Sequence, residues 1–154
     1  MPWYFTPIER QLRLKEIIDS WLDTPFRHRC AVKGEKGGVD CIHFCGEVYK
    51  EMGIIDSYEL PKYGKDWHLH RHGEKLLAGI FDFADAHPTY RLRSVGYDNP
   101  MNGDIIMFQY GRASAHTSIY YDGNVYQVLT NLRVESRPVK EEHHRKRFGL
   151  RVEE

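Results

Sequence analysis

The run Gly37-Gly38-Val39-Asp40-Cys41-Ile42-His43-Phe44-Cys45 constrains this chain more than any other, because a glycine turn becomes a helix there with a thiol in its first turn. Cys41, Phe44, Cys45, Val48 and Met52 recur at the spacing of one buried helical face. Asp40 is the natural N-cap, and Gly53 is the residue expected to end the helix in a left-handed conformation. A cysteine so placed meets unpaired backbone N–H groups at the positive end of the helix dipole, which favours thiolate over thiol. The competing reading is a small, inert, buried side chain at a helix start.

A chain of 154 residues suffices for one domain, spanning 1–154, with a sizeable core. Lys and Arg number 22 and so do Asp and Glu, so charge gives no reason to expect nucleic acid or an anionic membrane as the partner. The first residues, Met1-Pro2-Trp3-Tyr4-Phe5, lack a basic region followed by an apolar run. No stretch approaches the roughly 18 apolar residues of a membrane span, and the chain is expected to be cytoplasmic as synthesised. Cys30, Cys41 and Cys45 are an odd count for a disulfide framework and are expected to be reduced.

Leu12, Leu14, Ile17, Ile18, Trp21 and Leu22 among charged residues predict an amphipathic helix over 9–22, ended by Thr24-Pro25. Glycines and alternating charges over 33–38 suit a solvent-exposed loop leading to the cysteine helix. A further helical stretch is expected over 65–83, carrying His68, His70 and His72. Only His68 and His72 share a helical face, and no Cys- or carboxylate-rich partner motif is near, so neither a metal nor a cofactor is expected. From 90 onward the pattern is β, with strands over 90–95, 104–110, 116–121 and 124–129, and Asp122-Gly123 as a two-residue hairpin turn. Shorter apolar alternations follow around a polar run at 140–147 of mixed sign, read as a solvated loop. Helices first and an antiparallel sheet second make an α+β fold.

The hairpin turn sets a register in which Tyr121 pairs with Asn124, Ser118 with Gln127 and His116 with Leu129. His116, Ser118 and Gln127 then share a face, with His116 and Gln127 as diagonal neighbours. A thiol, an imidazole base and an amide that orients the base form a known catalytic arrangement. The alternative for His116 alone is a satisfied core histidine. A zinc module using Cys41, Cys45 and a histidine also competes, although Cys45 lies on the apolar stripe and suits the core.

Five stretches in order resemble the NlpC-type cell-wall peptidases, papain-like cysteine enzymes that cut peptides of bacterial peptidoglycan. They are Asp23-Thr24-Pro25-Phe26-Arg27, Gly38-Val39-Asp40-Cys41, Leu60-Pro61-Lys62-Tyr63, Gly103-Asp104-Ile105-Ile106-Met107-Phe108 and Ala115-His116-Thr117-Ser118-Ile119-Tyr120. The resemblance implies a papain-like fold with the nucleophile helix packed on an antiparallel sheet. It implies Cys41 as nucleophile, His116 as base and Gln127 as the third polar residue, with peptidoglycan stem peptides as substrate. Asp40, Arg27, Ser118 and Tyr63 are the candidates for binding substrate, Asp40 also being the helix cap. Where the family usually has a tyrosine whose hydroxyl helps form the oxyanion site, this chain has Phe26; where it usually has serine after the cysteine, this chain has Ile42. Tyr4, Tyr63 and His28 are candidate substitutes for the missing hydroxyl. Phe26 also suggests a second class, a non-catalytic binding domain on the same scaffold. A wall-active enzyme without a signal peptide has to leave by lysis, a phage particle or a secretion machine, which makes a phage or prophage origin an expectation.

Overall fold

A computed structural model of the chain describes residues 2–56, 90–110, 113–142 and 146–154. The helix expected over 65–83, its three histidines and Tyr63 lie outside the described residues. Helix α1, Ile8–Ser20, and helix α2, Cys41–Met52, precede a sheet of six strands: β3 Arg91–Val95, β4 Ile105–Tyr110, β5 Ala113–Tyr121, β6 Asn124–Gln127, β7 Glu135–Pro138 and β8 Lys146–Glu153. Two short strands, β1 Ala31–Val32 and β2 Gly38–Val39, form a separate antiparallel pair just before α2. The glycine loop is thus less open than its composition suggests, because Gly38 and Val39 are buried on the way to Cys41. Among the described residues no helix is long and apolar enough to cross a membrane.

Helix α2 begins and ends as its residues dictate. The Asp40 side chain accepts the N–H of His43 at the N-terminus, and Gly53 closes the C-terminus at φ 83°. Its apolar stripe, Cys41, Phe44, Cys45, Val48 and Met52, is buried. Trp21 meets Phe44 edge-on at 6.2 Å and helps join α1 to α2. Leu12, expected on the buried stripe of α1, is 55% exposed; Leu14 and Ile18 carry the contact instead.

All strand pairs in the large sheet are antiparallel, in the order β3-β8-β4-β5-β6-β7. The last strand therefore inserts between β3 and β4. Gly103-Asp104 clamps this arrangement. Asp104 is 1% exposed and accepts from Arg151 Nη2 at 2.7 Å, while the Tyr49 hydroxyl donates to the Gly103 carbonyl at 2.7 Å. Gly103 stands at φ 91°, and a Cβ there would come within 2.1 Å of the Phe5 ring, so glycine is required twice over. The opening motif is tied in similarly. The Val39 N–H donates to the Pro25 carbonyl at 3.0 Å and the Gly34 N–H to Thr24 Oγ1 at 2.9 Å, which fixes the loop that delivers Cys41.

Asp122 and Gly123 both have positive φ, 45° and 86°, as a two-residue turn of mirror-image type requires. The expected hairpin register follows: Tyr121 pairs with Asn124, Tyr120 with Val125 and Ile119 with Tyr126. Beyond that last pair the strands part, so the expected pairs Ser118–Gln127 and His116–Leu129 do not form; the end of β6, Gln127, pairs with Glu135 of β7 instead.

Candidate active site

Cys41 is 8% exposed in the first turn of α2. Thr117 Oγ1 donates to the Cys41 carbonyl at 2.8 Å, locking the helix start to β5. The backbone N–H groups of Ile42 and Thr117 face the thiol and favour its ionised form. In a continued ladder the Thr117 N–H would face β6, but the strands have parted there and it turns to the sulfur. Thr117, the residue after His116, thus ties the start of α2 to β5.

His116 is 3% exposed, and its Nε2 lies 2.8 Å from Oε1 of the fully buried Gln127. Phe108, opposite His116 in the ladder, places its ring centroid 5.8 Å from the imidazole. The register breaks between Phe108 and Gln109, so the strand is irregular where the histidine is delivered.

Burial pushes the Cys41 thiol up to about 12, and the Asp40 carboxylate adds to the effect. This corrects the expectation of a thiol ionised by its helix. The N-terminal donors are present, but loss of solvent outweighs them. Cys45 is raised further, again chiefly by burial, as befits a core side chain.

Two of the proposed substrate contacts need correction. Asp40 is 2% exposed, and its oxygens accept from the His43 N–H at 2.9 Å, from His43 Nδ1 at 2.8 Å and from the Arg29 N–H at 2.9 Å. It caps the helix and tethers the preceding loop, with its carboxylate committed inside the protein. Ser118 is wholly buried and donates to the Ile106 carbonyl at 3.2 Å, so it does not face a substrate. Arg27 is exposed, and its stem lies across Gly38, where a Cβ would come within 2.2 Å of it. Phe26 packs against the core, and Ile42 is buried between α2 and the sheet. Tyr4 is no substitute for the missing hydroxyl, since its own donates to the Met52 carbonyl at the far end of α2.

Residues 24–152 match the NlpC/P60 family. The chain belongs to that family. Comparison with curated proteins gives no match. Among solved structures it is similar to the NlpC/P60 domain of the peptidoglycan hydrolase SagA, at 13% identity and TM-score 0.54, over 91% of this chain and 97% of that one. A variant of the Resuscitation Promoting Factor Interacting protein RipA gives 15% identity and TM-score 0.60, over 100% of this chain and 67% of that one. RipD from Mycobacterium tuberculosis, described as a non-catalytic NlpC/p60 domain protein adapted to peptidoglycan binding, gives 14% identity and TM-score 0.53, over 92% and 95%. These likenesses establish the shared α+β fold.

Within this NlpC/P60 domain, the sequence left Thr117, His43, Glu135 and Glu142 unremarked. Thr117 sits on the helix-facing side of a strand whose next residues there, Ile119 and Tyr121, are core, and that lone polar residue was the available signal. Glu142 lies in the polar run read as solvated, and only the fold brings it to Gln127. Among the described residues no group of three His, Cys, Asp or Glu side chains could hold a metal ion, so the zinc reading finds no ligand set there.

Proposed function

We propose that this domain is a cysteine hydrolase that cuts peptide bonds in peptidoglycan stem peptides through a thioester acyl-enzyme. The observation that carries the reading is the buried 2.8 Å contact between His116 Nε2 and Gln127 Oε1, on the strand whose next residue, Thr117, bonds the Cys41 carbonyl. A buried imidazole oriented by an amide is suited to act as the base for a nucleophile.

His116 takes the thiol proton, and Cys41 Sγ attacks the carbonyl carbon. The C–N bond then breaks, and His116 returns the proton to the leaving amine. Water, deprotonated by the same ring, hydrolyses the thioester and frees Cys41. The backbone N–H of Cys41 stabilises the oxyanion. Arg27, exposed beside the helix entry, is suited to a substrate carboxylate.

Phe26 favours a second reading, a peptidoglycan-binding domain without turnover, since a missing oxyanion donor costs about two to three orders of magnitude in rate. His28, half-buried two residues further on, is the remaining described candidate for that donor. Incubation with a muropeptide mixture, followed by mass spectrometry, separates the two. Matched new amines and carboxylates that vanish with Cys41→Ala support the hydrolase. Retention of muropeptides without any cleavage supports the binding domain.

A further inference from the structure

Two carboxylates converge on the amide that holds His116. Gln127 Nε2 donates to Glu142 Oε2 at 2.5 Å and to Glu135 Oε1 at 3.3 Å. Glu135 is the ladder partner of Gln127, and Arg137 Nη2 also draws on its Oε1, at 3.4 Å. Glu142 comes from the end of the 3-10 helix Val139–Glu141, where it is the C-cap residue. An amide side chain can present either oxygen or NH2 to a neighbour, so Gln127 by itself does not settle what His116 meets. Ionised carboxylates only accept. They claim the NH2 and turn Oε1 towards the imidazole. An oxygen 2.8 Å from Nε2 requires the proton on that nitrogen, which leaves Nδ1 with its lone pair.

We propose that Glu142, backed by Glu135, is a positioning residue that fixes the tautomer of His116 through the amide of Gln127. The relay runs from carboxylate to amide to imidazole and leaves Nδ1 as the proton acceptor. It rests on the reading of His116 as the base, but the tautomer can be observed without any substrate.

Imidazole 15N shifts of His116, recorded on the full chain with the ring neutral, test it in the parent protein, Glu142→Gln and Glu142→Lys. The parent and Glu142→Gln, whose side-chain oxygen still accepts, are expected to carry the proton on Nε2. Lysine only donates, so it should claim Oε1, turn the NH2 to His116 and move the ring proton to Nδ1. With the wrong nitrogen protonated, kcat should fall by roughly two to four orders of magnitude while KM stays the same. A parent ring protonated on Nδ1, or a folded Glu142→Lys protein with the parent tautomer, overturns the proposal. If the lysine variant does not fold, the Glu135→Ala/Glu142→Ala double variant replaces it: loss of a single fixed tautomer is expected, and its retention overturns the proposal. A tautomer switch in a protein that never cleaves muropeptides supports the relay and refutes the hydrolase reading.

Discussion

With its thiol pushed up to about 12 by burial, Cys41 keeps its proton in the resting protein at neutral pH, so its reactivity has to come from a base within reach. Alkylation by iodoacetamide near neutral pH should therefore label Cys41 faster in the parent than in His116→Ala, with Cys45 unlabelled in both. Peptide mapping checks this; equal labelling of Cys41 in the two proteins would detach the histidine from the thiol. Turnover should fall by roughly two to four orders of magnitude in His116→Ala. Gln127→Ala should lose less, in kcat and not in KM, because a misoriented base still works some of the time. Ser118 gives the contrasting case. Its hydroxyl serves the Ile106 carbonyl, so Ser118→Ala should cost about 1 kcal/mol of stability and leave KM unchanged. A raised KM would return Ser118 to the substrate site.

At the scale of elements, the start of α2 carries both stability and positioning. Asp40→Ala removes the cap on His43 and the tether to the Arg29 N–H together, and should lower stability by about 1–2 kcal/mol in denaturant unfolding. Unchanged stability would mean that solvent replaces the cap without cost. The parts of the site that were readable in the sequence are those fixed locally. The Asp-cap, the helical stripe and the Asp122-Gly123 turn each act over a few residues, and the turn sets the register from Tyr121–Asn124 to Ile119–Tyr126, one residue short of Gln127. What could not be read there depends on distant partners. Nothing near Glu142 in the chain announces Gln127, and nothing before β8 announces that it inserts between β3 and β4. The thiol's ionisation was misjudged for the same reason, since a helix end is legible from sequence but the depth of its burial is not.

The whole molecule buries three weak acids close together, Cys41, Cys45 and Tyr49, all raised mainly by loss of solvent. Groups with raised folded-state values stabilise the fold fully below their unfolded values and lose that contribution as pH climbs towards the folded ones. For Cys41 the window runs from 9.0 to about 12. Each thiol should cost up to about 1.4 kcal/mol per pH unit there. Melting temperature should thus fall between pH 9 and 10.5, less steeply in Cys45→Ala; identical declines would place Cys45 outside the effect. The function proposed at this scale is acyl transfer, and a thioester can be intercepted. The most direct test is muropeptide cleavage in the presence of hydroxylamine. The parent protein should yield the acyl hydroxamate alongside the free carboxylate, and Cys41→Ala should yield neither. Cleavage by the parent with no hydroxamate at any hydroxylamine concentration, or cleavage by Cys41→Ala, would contradict a thioester on Cys41.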